Sequence, residues 1–398
     1  MNILYISYDG ALDPLGQSQV LPYILKLSEK GFKITLLTYE KKKNIALSRD
    51  KIIKLKDSLN KNKVRWEFLN YHKSPNIPAT IFDIVSGFIK AMILIHKDEI
   101  KVIHCRSFIG AIPGFLLARL FRLKFIYDMR GLWPDEKVDA GSWNKNSLVY
   151  RFTKYMENKF IKHADWIIVL TNKGKSILVN SYESCTRISV IPTCVDTELF
   201  MEKQDIDPKD HGISAKLIML YSGSIGSWYM FDEIAAFFNE IDKTFDNTLF
   251  LILTNNDPQE VDGLLKDKNI SKDKYKIMSL TRSEVADWLK IADVSVFFIK
   301  PCFSKQFSCP TKLAESLACG VPVVINSGIG DTDSFVKDNK VGVVIDSFAP
   351  EVLKDGVSRL IKLLKDGIVL EKRCRKLAED EFSLEKGVDT YRRIYNQV

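Results

Sequence analysis

The sequence is poor in the residues that usually hold metal ions. It has five histidines and seven cysteines in 398 residues, and the cysteines form no CxxC pair and no His/Cys cluster at metal-ligand spacing. A zinc site and a disulfide framework are therefore both unexpected. We expect a protein without a metal or other cofactor, whose cysteines are reduced and mostly buried: Cys105, Cys185, Cys194, Cys302, Cys309, Cys319 and Cys374.

Long apolar runs are also lacking. No run reaches about eighteen residues, the length that predicts a membrane-spanning helix. The N-terminal MNILYISYDG enters an apolar stretch with no basic segment ahead of it, unlike a signal peptide. These absences predict a cytoplasmic protein.

The charge is unevenly distributed. Residues 1–200 carry 31 Lys and Arg against 19 Asp and Glu, whereas residues 201–398 carry 27 against 31. The basic half is expected to face an anionic surface or substrate, and the other half a smaller ligand. Nucleic acid is not expected as a partner, because the cations are dispersed among apolar helices without an aromatic stacking platform.

Strand and helix patterns alternate along the chain. MNILYISY and FKITLLTY read as buried strands, with the amphipathic helix QSQVLPYILKLSEKG between them. The alternation stops in a polar stretch with Pro208 and Gly212 and restarts at KLIMLYSG. This predicts an α/β fold of two tandem doubly wound Rossmann-like domains facing a cleft, the first at 1–200 and the second at 216–380, joined by a linker at 201–215.

Glycines stand where predicted strands lead into helices. SYDGALDPLGQSQ places Gly10 and Gly16 after the first strand, and YSGSIGSW places Gly223 after the first strand of the second domain. In open parallel sheets ligands bind beyond the carboxyl ends of the strands, so these backbone N–H groups are candidates for contact with a phosphate or sugar. An ordinary strand-to-helix turn would have the same composition.

A lysine and a glutamate precede the apolar strand in SCPTKLAESLACGVPVV. Lys312 falls in the first turn of a predicted helix, where a cation opposes the helix dipole unless an anion compensates it. Glu315, one turn later, is suited to accept hydrogen bonds from sugar hydroxyls. A solvated Lys–Glu pair is the plainer alternative.

Several motifs in order resemble one enzyme family. RISVIPTCVDTELF, YSGSIG, CPTKLAESLACGVPVV, GIGD and VGVVID resemble the retaining glycosyltransferases of family 4 with the GT-B fold, and YDMRGLWPDE resembles a segment of one branch of that family, including enzymes of bacterial cell-surface polysaccharide synthesis. The resemblance implies that residues 1–200 form the acceptor-binding domain, that residues 216–380 form the donor-binding domain and that a helix at 381–398 returns to the first domain. It also implies that Glu315 binds the donor ribose and that Lys312 faces the diphosphate. The family's first glutamate falls on Phe307, and its arginine and lysine fall near Ser224 and Trp228.

The resemblance and the strand-end positions together define a predicted site. The donor-binding residues are Gly16, Gln17, Gly223, Ser224, Lys305, Pro310, Thr311, Lys312, Leu313 and Glu315. The acceptor-binding residues are His104, Arg106, Asp128 and Arg130, and catalysis is assigned to Lys312, Asp128 and Arg130. Lys300 is an alternative to Lys305 as the second cation, and a buried core role is an alternative for His104.

The predicted function is transfer of a hexose-type sugar from a nucleotide-diphosphate sugar to a glycan or lipid-linked acceptor. Two alternatives remain, a degenerate non-catalytic subunit and a sugar-nucleotide 2-epimerase. Three apolar segments with cations, Ile81 to Lys97, Gly114 to Lys124 and residues 147–163, predict a peripheral position on an anionic membrane surface at the inner face of the cell membrane.

Overall fold

The structure, a computed structural model, describes residues 1–47, 49–182, 187–202, 208–226 and 228–398, without the side chains of Leu47, Arg49, Lys51 and Asn76. Cys185 and positions 203–207 of the predicted linker lie outside these ranges. The chain divides into two compact units, which are Met1–Pro192 with Leu384–Val398, and Thr193–Ser383.

The first unit is built on a parallel seven-stranded sheet. Its strands are mostly short apolar runs buried on both faces, the pattern of a sheet covered by helices on each side. Their order across the sheet is β3-β2-β1-β4-β5-β6-β7. They span β1 Asn2–Ser7, β2 Lys33–Lys41, β3 Val64–Tyr71, β4 Val102–Arg106, β5 Lys124–Asp128, β6 Trp166–Val169 and β7 Ile188–Val190.

Helices connect these strands. They are α1 Pro14–Gln19, α2 Leu21–Glu29, α3 Lys42–Leu47, α4 Arg49–Lys61, α5 Asn76–Lys97, α6 Ser107–Phe121, α7 Trp133–Asp139, α8 Leu148–His163 and α9 Asn172–Ser181. The single helix predicted after β1 is broken at Val20, where the backbone leaves the helical region (φ −122°, ψ −63°). Pro22 follows and has no N–H to continue the hydrogen-bond ladder, which accounts for the break.

The second unit repeats the arrangement on a parallel six-stranded sheet of order β10-β9-β8-β11-β12-β13. Its strands are β8 Leu217–Ser222, β9 Thr248–Leu253, β10 Tyr275–Met278, β11 Val294–Phe297, β12 Val323–Asn326 and β13 Gly342–Ile345. Its helices are α10 Phe231–Thr244, α11 Pro258–Asp267, α12 Arg282–Lys290, α13 Thr311–Ala318, α14 Thr332–Asn339, α15 Pro350–Leu364 and α16 Ile368–Glu381. The predicted fold of two doubly wound Rossmann-like halves is confirmed.

The boundary between the units differs from the predicted end of the first domain at residue 200. Val195 donates its backbone N–H to the carbonyl of Phe382 at 2.8 Å, and Phe200 lies fully buried in the core of the second unit. Residues 193–200 therefore belong to that core. The last helix, α17 Leu384–Gln397, packs in the first unit, mainly against α2.

One segment is more apolar than the sequence analysis expected. Ile77–Lys97 of α5 is 21 residues long with a mean hydropathy of 1.7, which by length and composition alone suffices to cross a membrane. The expectation that no such segment exists was wrong, because isolated polar residues such as Asp83 interrupt the apolar run without lowering its average much. In the structure this helix packs on the sheet through β3 and β1 and beside α6.

Candidate functional site

The second sheet carries a glycine directly after its first strand. β8 ends at Ser222, and Gly223 follows with φ +128°, in the region that favours glycine. A Cβ atom on Gly223 would lie 2.7 Å from both Cε and Nζ of Lys312. The absent side chain leaves the space that this lysine occupies, so two predicted donor residues far apart in sequence are neighbours.

The start of α13 positions Lys312. Pro310 precedes the helix with an extended backbone (φ −68°, ψ 131°), and its carbonyl accepts the N–H of Leu313 at 3.2 Å. Leu313 is fully buried in the core of the unit, whereas Thr311 is only partly buried. Of the predicted donor residues in this stretch, Leu313 can therefore meet a ligand only through its backbone.

The ammonium group of Lys312 is buried without an oxygen partner. Lys312 is 5% exposed, and its Nζ lies 3.3 Å from the ring centroid of Tyr229 and 4.4 Å from that of Tyr221. Among the described residues, no atom accepts a hydrogen bond from this Nζ. Burial lowers the pKa of Lys312 well below its ordinary value. A cation held only by aromatic faces is suited to receive an anion.

Glu315 lies one turn later on α13. Its Oε1 is 3.7 Å from Nε of Arg282, and 15% of its side chain is exposed. Burial raises the pKa of Glu315, while Arg282 and Lys312 oppose the rise. The carboxylate is thus flanked by two cations at an accessible edge. Sequence reasoning missed Arg282, because no motif or spacing links the first residue of α12 to α13.

A second lysine lies on the loop before α13. Lys305 is 7% exposed, and its Nζ is 3.7 Å from the ring centroid of Trp228. Its carbonyl accepts the N–H of Gly330 at 2.9 Å, which anchors the short 3₁₀ turn Phe303–Phe307. Phe307, at the position of the family's first glutamate, is fully buried. An apolar ring buried in the protein therefore stands at the position where the resemblance aligns the family's first glutamate.

The loop after β8 is held by its own hydrogen bonds. The carbonyl of Ser224 accepts the hydroxyl of Tyr221 at 2.5 Å, and Ile225 donates its N–H to Oδ1 of Asn256 at 2.9 Å. Tyr221 thus has two roles, since its ring faces Lys312 and its hydroxyl fixes the loop. This fixes the backbone on one side of the lysine.

In the first unit, a buried carboxylate holds the glycine-containing loop after β1. The backbone N–H groups of Ala11 and Leu12 donate to Oε1 and Oε2 of Glu40 at 2.6 and 3.2 Å. Gln17 donates its side-chain amide to the carbonyl of Ala11 at 2.6 Å, and a Cβ on Gly16 would lie 1.9 Å from a backbone oxygen of the same loop. The donor role of Gly16 and Gln17 stays a prediction, and the contacts described here stabilise the loop itself.

Three of the predicted acceptor residues, Arg106, Asp128 and Arg130, lie at or just beyond the carboxyl ends of β4 and β5, whereas His104 lies in the middle of β4 and not at the predicted strand end. Asp128 is 1% exposed, and its Oδ2 accepts the hydroxyl of Tyr391 at 2.9 Å and lies 3.6 Å from Nε2 of His104. Its Oδ1 is 3.4 Å from Nη1 of Arg130. His104 is fully buried, and its Nδ1 is 2.7 Å from the hydroxyl of Tyr395. The structure brings these predicted residues together, but their near partners are groups of the chain itself.

Together, burial and the neighbouring charges favour an ionised Asp128 beside a neutral His104. Burial opposes ionisation of Asp128, but Arg130 and His104 outweigh it and hold the pKa of this carboxyl below its usual range. Burial lowers the pKa of His104. Arg106 donates from Nη1 to Oδ2 of Asp9 at 3.0 Å, beside the same strand ends. Acceptor binding by these residues stays a prediction, and Arg106 and Arg130 are the cations that contact Asp9 and Asp128.

Sequence reasoning did not find the tyrosines that complete this cluster. Tyr391 and Tyr395 lie on α17, separated in sequence from Asp128 by 263 residues and from His104 by 291. The amphipathic pattern of that helix indicates only that one face is buried. No local signal specifies which strand ends it covers.

The chemistry of the second unit's site is that of an anion and hydroxyl binder. It combines a buried lysine whose ammonium group has no hydrogen-bond acceptor among the described residues, a second lysine against an indole ring and a partly exposed glutamate. Such a set matches a phosphate-bearing ligand that also has vicinal hydroxyls. Within the described ranges, no group of three or more His, Cys, Asp or Glu side chains is arranged to hold a metal ion.

Two family models match the chain in succession. The model described as Glycosyltransferase Family 4 matches residues 20–199, and the model described as Glycosyl transferases group 1 matches residues 203–380. An uncharacterized glycosyltransferase of Methanocaldococcus jannaschii is 20% identical over 331 residues, which cover 81% of this chain and 82% of that one.

Solved structures are similar over the full length. Sucrose-phosphate synthase from Thermosynechococcus elongatus has a TM-score of 0.78 at 16% identity, covering 100% of this chain and 98% of that one. HepE from Anabaena in complex with UDP-glucose has a TM-score of 0.73 at 11% identity and covers 100% of both chains. At such identities the likeness concerns the fold.

Proposed function

Since the chain belongs to the glycosyltransferases of the GT-B fold, we propose that it transfers a hexose-type sugar from a nucleotide-diphosphate sugar to a glycan or lipid-linked acceptor, with retention of configuration. The observation that carries the proposal is the buried ammonium of Lys312, which has no acceptor among the described residues. HepE, a structural neighbour, was solved with UDP-glucose. That title supports a nucleotide sugar as the class of donor.

Lys312 and Lys305 bind the diphosphate in this proposal. As the bond from the anomeric carbon to the phosphate oxygen breaks, negative charge grows on the departing nucleoside diphosphate and positive charge on the sugar ring. Cations placed in advance in a site of low polarity stabilise that charge separation without reorganisation. Glu315 accepts hydrogen bonds from the ribose hydroxyls and so fixes the nucleoside end of the donor.

The acceptor hydroxyl attacks from the side on which the diphosphate leaves. Its proton passes to the departing phosphate oxygen, so that a glycosidic bond forms, the sugar–phosphate bond breaks and a nucleoside diphosphate is released. This route needs a positioned hydroxyl more than a strong protein base. No side chain is therefore assigned as the base, and no metal ion is required.

Arg106 and Arg130 are proposed to position the acceptor at the edge of the first sheet. Asp128 and His104 act through them, because Asp128 is buried against Arg130 and against Tyr391. We accordingly describe Asp128 as a positioning residue. In this proposal the acceptor is lipid-linked and the reaction belongs to surface polysaccharide synthesis. The protein acts in the cytoplasm, at the inner face of the cell membrane.

The test begins with nucleoside diphosphates and purified protein. Thermal shifts with the uridine, guanosine, adenosine and thymidine diphosphates identify the nucleotide, and calorimetry gives its affinity. Lys312→Met should weaken that affinity strongly, whereas Lys337→Met, at a lysine whose side chain is 51% exposed, should not. The anomeric proton coupling of the first product reports retention. Equal affinity of all three proteins would contradict the assignment of the site.

A non-catalytic subunit is the second candidate, and one observation favours it. Phe307 is fully buried where the family has its first glutamate, so one of the expected donor contacts is absent. Release of free sugar from the matching nucleotide sugar separates the two readings. Tight nucleotide binding without any hydrolysis or transfer would favour the non-catalytic subunit, and interconversion of the donor with its 2-epimer would indicate an epimerase.

A further inference from the structure

Three neighbouring helices of the first unit present outer faces that carry no exposed carboxylate. α6 contacts both α5 and α8. The only acidic residues on these helices are Asp83 and Glu157, which are 1% and 0% exposed. Their exposed side chains are mainly apolar or basic. Soluble surfaces normally mix both signs of charge, so this face is unusual in composition.

α5 contributes an unbroken apolar stripe. Its exposed large side chains recur at the spacing of one helix face, and each is at least half exposed: Ile77, Ile81, Phe82, Val85, Ile89 and Ile93. From Ile77 to Ile93 the stripe extends about 24 Å at about 1.5 Å per residue. His96 and Lys97 follow at its end.

The opposite face of α5 is fixed to the sheet. Asp83 accepts the hydroxyl of Tyr8 at 2.9 Å and lies 2.6 Å from Nδ1 of His72. A Cβ on Gly87 would lie 1.8 Å from the hydroxyl oxygen of Tyr39, so the helix backbone directly contacts the residues beneath it. The helix is therefore part of the folded unit, and its apolar stripe points away from that unit.

Cations and further apolar side chains lie on the two adjacent helices. Leu116 and Leu120 of α6 are 45% and 62% exposed, and Phe152 and Tyr155 of α8 are 62% and 56% exposed. A cavity of about 480 Å³ opens at the ends of these helices. Its basic lining residues are Arg119, Arg122, Lys124 and His163, and Asp165, which pairs with Lys124, also lines it. Lys162 is exposed beside it.

We propose that this face, formed by α5, α6 and α8, binds the surface of an anionic lipid bilayer, with the stripe of α5 lying in the headgroup region parallel to the membrane. The three helices carry exposed basic side chains and no exposed acidic ones, which matches a negatively charged surface, whereas a protein partner would be expected to require acidic and basic groups in register. An apolar stripe beside basic side chains is the pattern of interfacial helices. The proposal goes beyond sugar transfer, since the attachment needs neither donor nor acceptor.

The position of α5 links this surface to the strand ends. Asp83, near the amino end of α5, contacts Tyr8 just after β1 and His72 just after β3. The amino end of the stripe therefore lies near the carboxyl edge of the first sheet, where the predicted acceptor residues stand. A bilayer on this face would be adjacent to that edge, as a lipid-linked acceptor requires.

Sedimentation with vesicles tests the proposal on the full chain. The probes are phosphatidylcholine vesicles with and without phosphatidylglycerol, at low and high salt. We expect binding to the anionic vesicles at low salt and a reduced but measurable fraction at high salt, because salt screens the cations and not the apolar contact. Arg119→Ala/Lys162→Ala should lower the low-salt partition coefficient about 25-fold, at about fivefold per cation.

The apolar contribution is tested by Ile81→Ser/Ile89→Ser, with Ile368→Ser/Val369→Ser as the matched control. The control residues are 68% and 60% exposed but lie in the second unit. We expect the first pair to abolish the salt-resistant fraction and the control to behave as the original protein, with thermal melting unchanged in both. No sedimentation at low salt, or equal sedimentation of both pairs, would overturn the proposal. A dimer that dissociates on substitution of Ile81 and Ile89 would also overturn it, because a second copy of the chain would then cover the stripe. Resistance to alkaline carbonate extraction would overturn it as well, because it would indicate a membrane-spanning helix.

Discussion

Replacing Lys312 by methionine should stabilise the protein and weaken its binding of nucleotide. Methionine keeps most of the length of the side chain between Tyr221 and Tyr229 but removes the ammonium group. Lys312 as a whole is 5% exposed, and its ammonium group is buried and has no acceptor among the described residues. Desolvation of a buried ion costs several kcal/mol, and cation–π contacts return about 2 kcal/mol. The free energy of unfolding at neutral pH should therefore rise by about 1 kcal/mol or more.

The effect on ligand binding has the opposite sign. A hydrogen bond between an ammonium group and a diphosphate contributes about 1.5–3 kcal/mol. The dissociation constant for nucleoside diphosphate should therefore increase about 10- to 150-fold in Lys312→Met. A variant that is more stable yet binds less is not expected for a lysine with a merely structural role.

The pH dependence gives a third readout. Burial lowers the pKa of Lys312, and a bound diphosphate would raise it again, so binding above the lowered pKa takes up a proton and the affinity falls as the pH rises. For stability, the unfolded chain binds a proton that the folded chain does not between the lowered pKa and the ordinary value of about 10.4. The free energy of unfolding therefore rises with pH across that window, and the benefit of methionine shrinks.

The assays are urea unfolding and calorimetry in two buffers of different ionisation enthalpy, with Lys337→Met as the control. The original protein should show buffer-dependent binding enthalpies, and Lys312→Met should not. Lower stability of Lys312→Met together with unchanged affinity would refute the argument, because the ammonium group would then have a partner in the folded protein.

Three further predictions follow from single contacts. Glu315→Gln should weaken binding of nucleoside diphosphate by about 1 kcal/mol or more while leaving pyrophosphate binding almost unchanged, since the carboxylate is assigned to the ribose; calorimetry with both ligands decides it, and equal losses would contradict that role. Gly16→Ala should lower the free energy of unfolding by about 1–3 kcal/mol, because its Cβ would lie 1.9 Å from the carbonyl oxygen of Gly10. Gly263→Ala, at an exposed helix position where a Cβ would have no atom within 4 Å, should raise the free energy of unfolding by about 1 kcal/mol. If urea unfolding showed that both variants are less stable than the original protein, the comparison would be refuted. Burial raises the pKa of Glu157 to about 7. Between the unfolded value of about 4.3 and the folded value of about 7 the folded chain therefore binds a proton that the unfolded chain does not, and the free energy of unfolding falls as the pH rises. This fall should disappear in Glu157→Gln, and an identical pH profile of the original protein and the variant would contradict the prediction.

The strands and the site on α13 were accessible from sequence because their signals are local. The runs MNILYISY and FKITLLTY are too apolar and too short for surface helices, and the structure places strands at Asn2–Ser7 and Lys33–Lys41. Lys312 and Glu315 fall within one helix turn, so their common face follows from spacing alone. Gly223 beside Lys312 required only that both stand at the same edge of a parallel sheet.

The remaining features depend on contacts between distant segments. Glu40 binds the loop at Ala11 across 29 residues, and Arg282 approaches Glu315 from a different helix. The short strand Ile188–Val190 was missed because three residues carry no periodicity, although the sheet pairs them with β6. The break at Val20 was missed because the apolar periodicity continues across Pro22, which lies inside the predicted helix but in the first turn of a second helix in the structure.

The place of α17 has a consequence for how the protein is made. During translation the residues of β4 and β5 leave the ribosome long before Tyr391 and Tyr395, whose hydroxyls contact the buried Asp128 and His104. Until then the nascent first unit lacks its cover, and these polar groups must stay hydrated. In the sequence, the residues of the second unit all fall between the two segments of the first, so the second unit can fold before the first unit receives its last helix. The half that is synthesised first should thus be the last to become native.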